Sequence, residues 1–178
     1  MKRKQHIFLS LALVFSVAVF GFTFSQERPS PAREASGTIG DTDVVVTYSS
    51  PSVNDRTVWG ELVPYNQIWR TGANEATTLE VKSDVMIQGQ TLPAGRYALF
   101  TIPKENSDWI VIFNKADKQW GSFDYNQSDD AMRIMAKPAD AEFNERLKFE
   151  VNTDGDEEGT VVMYWDKLML PIDIKPIK

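Results

Sequence analysis

The sequence predicts an all-β protein, an antiparallel β-sandwich of about nine short strands with immunoglobulin-like or jelly-roll order. Three observations predict it. Apolar residues recur with period two rather than 3.6, turn residues bound most runs, and no stretch carries a long helical pattern.

The runs follow in chain order. Val44, Val46 and Tyr48 alternate with Val45 and Thr47. Thr77, Leu79 and Val81 alternate with Thr78 and Glu80. Asp84–Ile87 is a short run that Gln88-Gly89-Gln90 should turn into a hairpin. Pro93-Ala94-Gly95 feeds Arg96–Ile102, and Pro103 closes it. Trp109, Val111 and Phe113 alternate with Ile110, Ile112 and Asn114; apolar on both faces, this strand should lie inside a sheet. Ala131–Ala136 follows. Pro138 then opens the one place for a short helix, Ala139 to Glu145. Leu147, Phe149 and Val151 alternate with Arg146, Lys148 and Glu150, which predicts one wet face. Val161, Met163 and Trp165 alternate with Val162, Tyr164 and Asp166, and Leu170–Ile174 ends the series.

The first 36 residues read differently. Lys2, Arg3 and Lys4 precede an uncharged apolar run from Ile7 to Phe24, the pattern of a secretory signal peptide. Small residues at Thr23 and Ser25 predict a leader of residues 1–25 with cleavage before Gln26. An uncleaved anchor is the alternative, because the run is barely long enough to span a bilayer. Residues 26–36, polar and carrying two prolines, read as a flexible tether. Residues 37–178 then form a single domain, large enough to stand on its apolar core alone. That matters in an exported chain, because the sequence contains no cysteine and so no disulfide.

Composition narrows the chemistry. The only histidine is His6, inside the leader. Without His or Cys, the mature chain cannot build Cys/His zinc sites, Ser-His-Asp or Cys-His catalysis, or haem ligation by histidine. No metal and no cofactor is expected. Removing the leader takes three of 19 basic residues and leaves 16 against 25 acidic ones, a net charge of −9. Such a chain is repelled by phosphate backbones and anionic membranes, so neither nucleic acid nor a membrane surface is an expected partner. No span is expected after cleavage, and nothing in the sequence sets an oligomeric state.

Two segments concentrate chemistry. Ser50–Thr78 brings Trp59, Tyr65 and Trp69 together with Arg56, Arg70, Asn74 and Glu75. Aromatic faces beside guanidinium and amide groups suit a small polar or carbohydrate ligand. The same residues would also serve a scaffold. Trp59 and Trp69 would plug the core, Arg70 would pair with a carboxylate, and Gly72 would supply an unusual backbone angle. The second segment, Trp120–Arg133, offers Trp120, Asp124, Tyr125, Asp129, Asp130 and Arg133. Candidate ligand-binding residues across both are Trp59, Trp69, Arg70, Asn74, Glu75, Trp120 and Tyr125. No catalytic residue is assigned. Paired carboxylates, Glu75 with Asp124 or Asp130, would be the acid and base of a hydrolase. An ion pair between Asp130 and Arg133 on a surface loop is the plainer reading. Asn152–Gly159 alternates acidic residues roughly as a calcium loop does, but its glycine is misplaced and the closing glutamate is missing, so a solvated hairpin loop is expected.

The chain resembles a bacterial family catalogued as domain of unknown function 2911. The resemblance rests on Ser50-Pro51, Arg56, Trp59-Gly60, Leu62-Val63-Pro64, Trp69-Arg70-Thr71-Gly72-Ala73-Asn74 and Thr77. It continues through Gly89, Leu92, Ala94-Gly95, Tyr97, Pro103, Trp109, Asn114, Trp120-Gly121, Tyr125, and Asp130 with Arg133. It implies an exported, periplasmic or secreted protein of the Bacteroidota or related bacteria. It implies no activity. Three functions therefore stand: a non-catalytic binding module of the cell envelope, a carboxylate-dependent hydrolase, and a structural or protein-interaction domain.

Overall fold

The structure, a computed structural model, describes residues 28–155 and 157–177; the expected leader and its cleavage site lie outside them. Ten strands follow in order: β1 (Ala32–Ile39), β2 (Thr42–Ser49), β3 (Thr78–Val81), β4 (Val85–Ile87), β5 (Gln90–Leu92), β6 (Gly95–Ile102), β7 (Trp109–Asn114), β8 (Asp130–Ala136), β9 (Ala139–Asp154) and β10 (Glu158–Pro176). A single 3-10 turn at Gln127–Asp129 precedes β8. Six strands pair in the order β1-β2-β3-β6-β7-β8 and four in the order β5-β4-β10-β9. The two antiparallel sheets pack as a sandwich, and β7 lies inside the larger one as its two apolar faces require. Mostly sequence neighbours pair, and the β4–β5 hairpin crosses to the smaller sheet.

Period-two alternation explains the core. Val44, Val46, Leu79, Leu99, Val111, Phe113, Leu147, Phe149, Val161, Met163 and Trp165 all turn inward and are buried. β10 shows how one strand can carry two phases. Its inward residues are odd-numbered through Trp165, then even-numbered at Leu170, Ile172 and Ile174. The register with β9 shifts on either side of Asp166, whose φ is 54°, and this bulge moves the pattern by one residue. The two apolar runs of the sequence are therefore one bent strand. At the β4–β5 turn, Gln88 (φ 50°) and Gly89 (φ 76°) are both left-handed, the geometry that matches hairpin twist.

Beyond β2 the chain changes sheets. Val53 N–H donates to Glu145 O (2.8 Å), Leu147 N–H to Pro51 O (2.9 Å) and Ser50 Oγ to Leu147 O (2.6 Å). These bonds tie the end of β2 to β9 and close one side of the sandwich.

Two expectations need correction. Residues 139–145 are strand, not helix: Ala139 pairs with Met169, Asp140 with Leu168 and Asn144 with Asp166. Seven residues whose one large apolar side chain, Phe143, is exposed could not support an isolated helix, whereas β10 offers a ready ladder. The expected tether of residues 26–36 is also too long, because Ala32–Ser36 pair with β2. β1 is held by that main-chain ladder and leaves most of its side chains exposed, so it shows no apolar alternation. Gly37 has a packing role there, since a Cβ would lie 2.9 Å from Val151. Among the described residues no helix is long and apolar enough to cross a membrane.

Candidate functional site

Much of the two chemistry-bearing segments, though not Trp59 and Trp69, lies on the outer face of the six-stranded sheet, above β6 and β7. A small second core sits there, formed by Ala76, Ala98, Phe100 and Ile112 with Ile68, Ile102, Ile110 and Tyr125 packed against it. Residues 65–77 and 115–126 cover it as loops.

The first loop is fixed by close backbone approach. Trp69 N–H and Thr101 N–H each donate to the other's carbonyl, at 2.8 and 2.9 Å. Thr77 Oγ1 donates to Thr71 O (2.7 Å), and Ala73 N–H to Ser49 O (3.2 Å). Thr71 (φ 53°) and Asn74 (φ 55°) take the left-handed turns. Gly72 does not. A Cβ on Gly72 would sit 2.8 Å from Thr77 Oγ1 and 3.1 Å from Ser49 O, so close approach rather than an unusual angle demands glycine.

The second loop winds around Asn114, which is fully buried. Its Nδ2 donates to Asn126 O (3.0 Å) and Asp130 Oδ1 (2.8 Å). Its Oδ1 accepts from Ala116 N–H (3.0 Å) and Gln119 Nε2 (3.2 Å). A short ladder then joins the loops: Ala76 N–H donates to Gln119 O (2.9 Å), Gly121 N–H to Asn74 O (3.0 Å), and Glu75 pairs with Trp120. Glu75 and Trp120, 45 positions apart in the chain, thus become backbone neighbours.

Beside this ladder opens a cleft of about 430 Å³. Thr47 and Thr78, paired across β2 and β3, contribute to its lining from the sheet. Glu75, Ala76, Asp117, Lys118, Gln119 and Trp120 contribute from the loops, and Arg28 and Arg96 add cations. Trp120 leaves 55 % of its surface exposed. Arg28 Nη1 holds both oxygens of Glu75, at 2.8 and 3.0 Å, and this hydrogen bonding lowers the Glu75 pKa below the usual carboxylate value. Asn74 Nδ2 donates to Ser30 O (3.1 Å) nearby. Arg96 stands 3.7 Å from Asp117.

Other candidates lie elsewhere. Trp69 is 9 % exposed and spends its indole N–H on Gly72 O (3.1 Å). Trp59 meets Trp69, Trp109 and Trp165 edge to face, with ring centroids 4.9–5.8 Å apart, inside the sandwich core. One part of Trp59 borders a groove with Lys137, Asp140, Lys167 and Leu168, which takes in none of the other six candidates. Arg70 is half-buried with no carboxylate partner among the described residues, and its buried Nε finds no acceptor. The expected Arg70 ion pair is therefore absent, and burial lowers its pKa.

Tyr125 packs edge-on against Phe100 (5.2 Å) and belongs to a staple. Its hydroxyl donates to Asp130 Oδ2 (2.8 Å) and accepts from Arg133 Nη2 (2.5 Å), while Arg133 Nε donates to Asp130 Oδ2 (2.7 Å). Burial first, and then the Asp130 carboxylate, push the tyrosine pKa up to about 12. A phenol held protonated to that pH is not a base at neutral pH. Glu75 and Asp130 are each paired with an arginine.

Sequence reasoning missed Thr47, Thr78, Arg28, Arg96, Lys118 and Gln119. The polar members of the alternating β2 and β3 runs could have pointed to the threonines. Arg28 and Lys118 carry no local signal, because only tertiary proximity brings them to the cleft.

A family model described as protein of unknown function (DUF2911) matches residues 30–174. No curated protein and no solved structure matches the chain.

Proposed function

This chain belongs to the DUF2911 family of proteins of unknown function, and from that premise we propose that it is an exported, non-catalytic binding module for a small polar or carbohydrate ligand. The family brings no activity with it, so support comes from the site and from the basic-apolar leader. One observation carries the reading. A largely exposed indole, Trp120, stands at a cleft whose polar groups are hydroxyls, an amide and both signs of charge. An aromatic face supplies apolar area to a sugar ring, and surrounding polar groups fix its orientation. Loops seated on a rigid sheet are a common setting for such sites.

A glycan array and a thermal-shift screen on the purified protein test this. At least one envelope saccharide should raise Tm, and Trp120→Ala should remove the response while the fold is kept. No response from any glycan or small acid in a well-folded sample counts against the proposal.

One observation favours a protein-interaction domain instead. Phe123 is 84 % exposed on the same loop as Trp120. Phe123→Ser separates the two readings, because a saccharide response should survive it and a protein-docking surface should not.

A further inference from the structure

We infer that the ligand of the outer-face cleft is an acidic saccharide, one that bears a single carboxylate beside its hydroxyl groups. This rests on the binding reading above and narrows it.

The charge inventory of the cleft comes first. Arg28, Arg96 and Lys118 face Glu75 and Asp117, which leaves one net positive charge on a chain whose total is −6. Arg28 and Glu75 satisfy each other through the two-oxygen contact. Arg96 reaches Asp117 only at 3.7 Å, too long for a hydrogen bond. Lys118 is exposed and takes part in no ion pair among the described residues. The cleft therefore has one uncommitted cation, Lys118, and a guanidinium, Arg96, shared between Asp117 and its cross-strand partner Glu80. A local positive site in an acidic protein draws anions toward it.

Charge count then selects among anions. Glu75 and Asp117 border the same space, so a phosphate monoester with nearly two negative charges meets two carboxylates and one spare cation. A carboxylate carries one charge and matches the spare cation. An arginine fork suits its two oxygens as well.

The hydroxyl part follows from groups that lack partners. Gln119 is 8 % exposed, lines the cleft, and donates through Nε2 to Asn114 and Ala116; its fully buried Oε1 accepts nothing among the described residues. The hydroxyls of Thr47 and Thr78, also cleft-lining, make no side-chain hydrogen bond among the described residues. Hydroxyls of this kind can exchange hydrogen bonds with the hydroxyls of a sugar. Exposed Trp120 provides the ring face.

The test compares D-glucuronate, D-glucose and glucose 6-phosphate by calorimetry at low and high salt. Wild type should bind glucuronate about two- to fivefold more tightly than glucose, the worth of one exposed charge contact, and salt should shrink the difference. Lys118→Met should remove that preference. Equal affinity for glucuronate and glucose, or a preference that Lys118→Met leaves intact, overturns the inference while the binding reading stands. Tighter binding of glucose 6-phosphate than of glucuronate also overturns it. Binding of none of the three sinks the acidic-saccharide assignment, and the glycan array then decides the broader reading separately.

Discussion

Four of the five tryptophans meet in one cluster inside the sandwich, and the fifth stands at the outer cleft. Trp165 and Trp109 are each 1 % exposed, whereas Trp120 is 55 % exposed. The residue type is the same, but the surroundings differ. Trp165 and Trp109 lie on strands whose alternation turns them inward, and Trp69 is clamped to Thr101 on β6. Trp120 lies on a loop zipped to residues 74–76, and Gly121 turns the chain away at φ 67°. No second sheet covers it. Aromatic density along a sequence therefore measures fold first. A ring becomes available to a ligand where the backbone holds it in place without covering it.

The largest expected effect tests that contrast directly. Trp165→Ala removes a fully buried ring and should cost about 3–5 kcal/mol in urea unfolding. Trp120→Ala should cost less than about 1 kcal/mol, as exposed positions do. Equal losses would break the comparison.

Next in size is the staple behind the cleft loop. Asp130→Ala leaves one Asn114 amide N–H, the Tyr125 hydroxyl and Arg133 Nε without an acceptor and should cost about 2–3 kcal/mol. A loss near zero would mean that the loop holding Trp120 is not pinned from this side.

The same staple gives a pH effect of comparable scale. The Tyr125 pKa is raised from 10.0 to about 12 in the folded chain. A raised value means that the native state holds the proton more tightly than the unfolded state does. This stabilisation is complete below pH 10.0 and is lost as pH rises through about 12. Absorbance titration of wild type against Tyr125→Phe should show one phenol ionising late. A tyrosine in this position that titrates normally contradicts the geometry.

The smallest effect concerns Arg70. It is desolvated without a partner among the described residues, so Arg70→Met should change stability by less than about 1 kcal/mol, or raise it. A loss of several kcal/mol would reveal an ion pair that the structure lacks.

Much of the fold was legible because burial writes itself as alternation. β2, β3, β7, the second half of β9 and the first run of β10 announced themselves this way, and β6 and the second run of β10 as short apolar runs. β1 and the start of β9 did not, since main-chain pairing rather than an apolar face holds them. The site was legible only in part. Glu75 and Trp120 were named in separate segments, but their pairing depends on a ladder that neither segment encodes alone. Trp59 and Trp69 looked equally suitable, because nothing local distinguishes a ring that will be covered from one that will not.

An NMR titration tests the central claim, that a ligand enters the outer-face cleft at Trp120. The probe is the saccharide that raises Tm most. Its shift changes should centre on Thr47, Thr78, Gln119 and the Trp120 indole N–H. Changes centred instead on Trp59, Lys137 and Leu168, with Trp120 silent, would contradict the account.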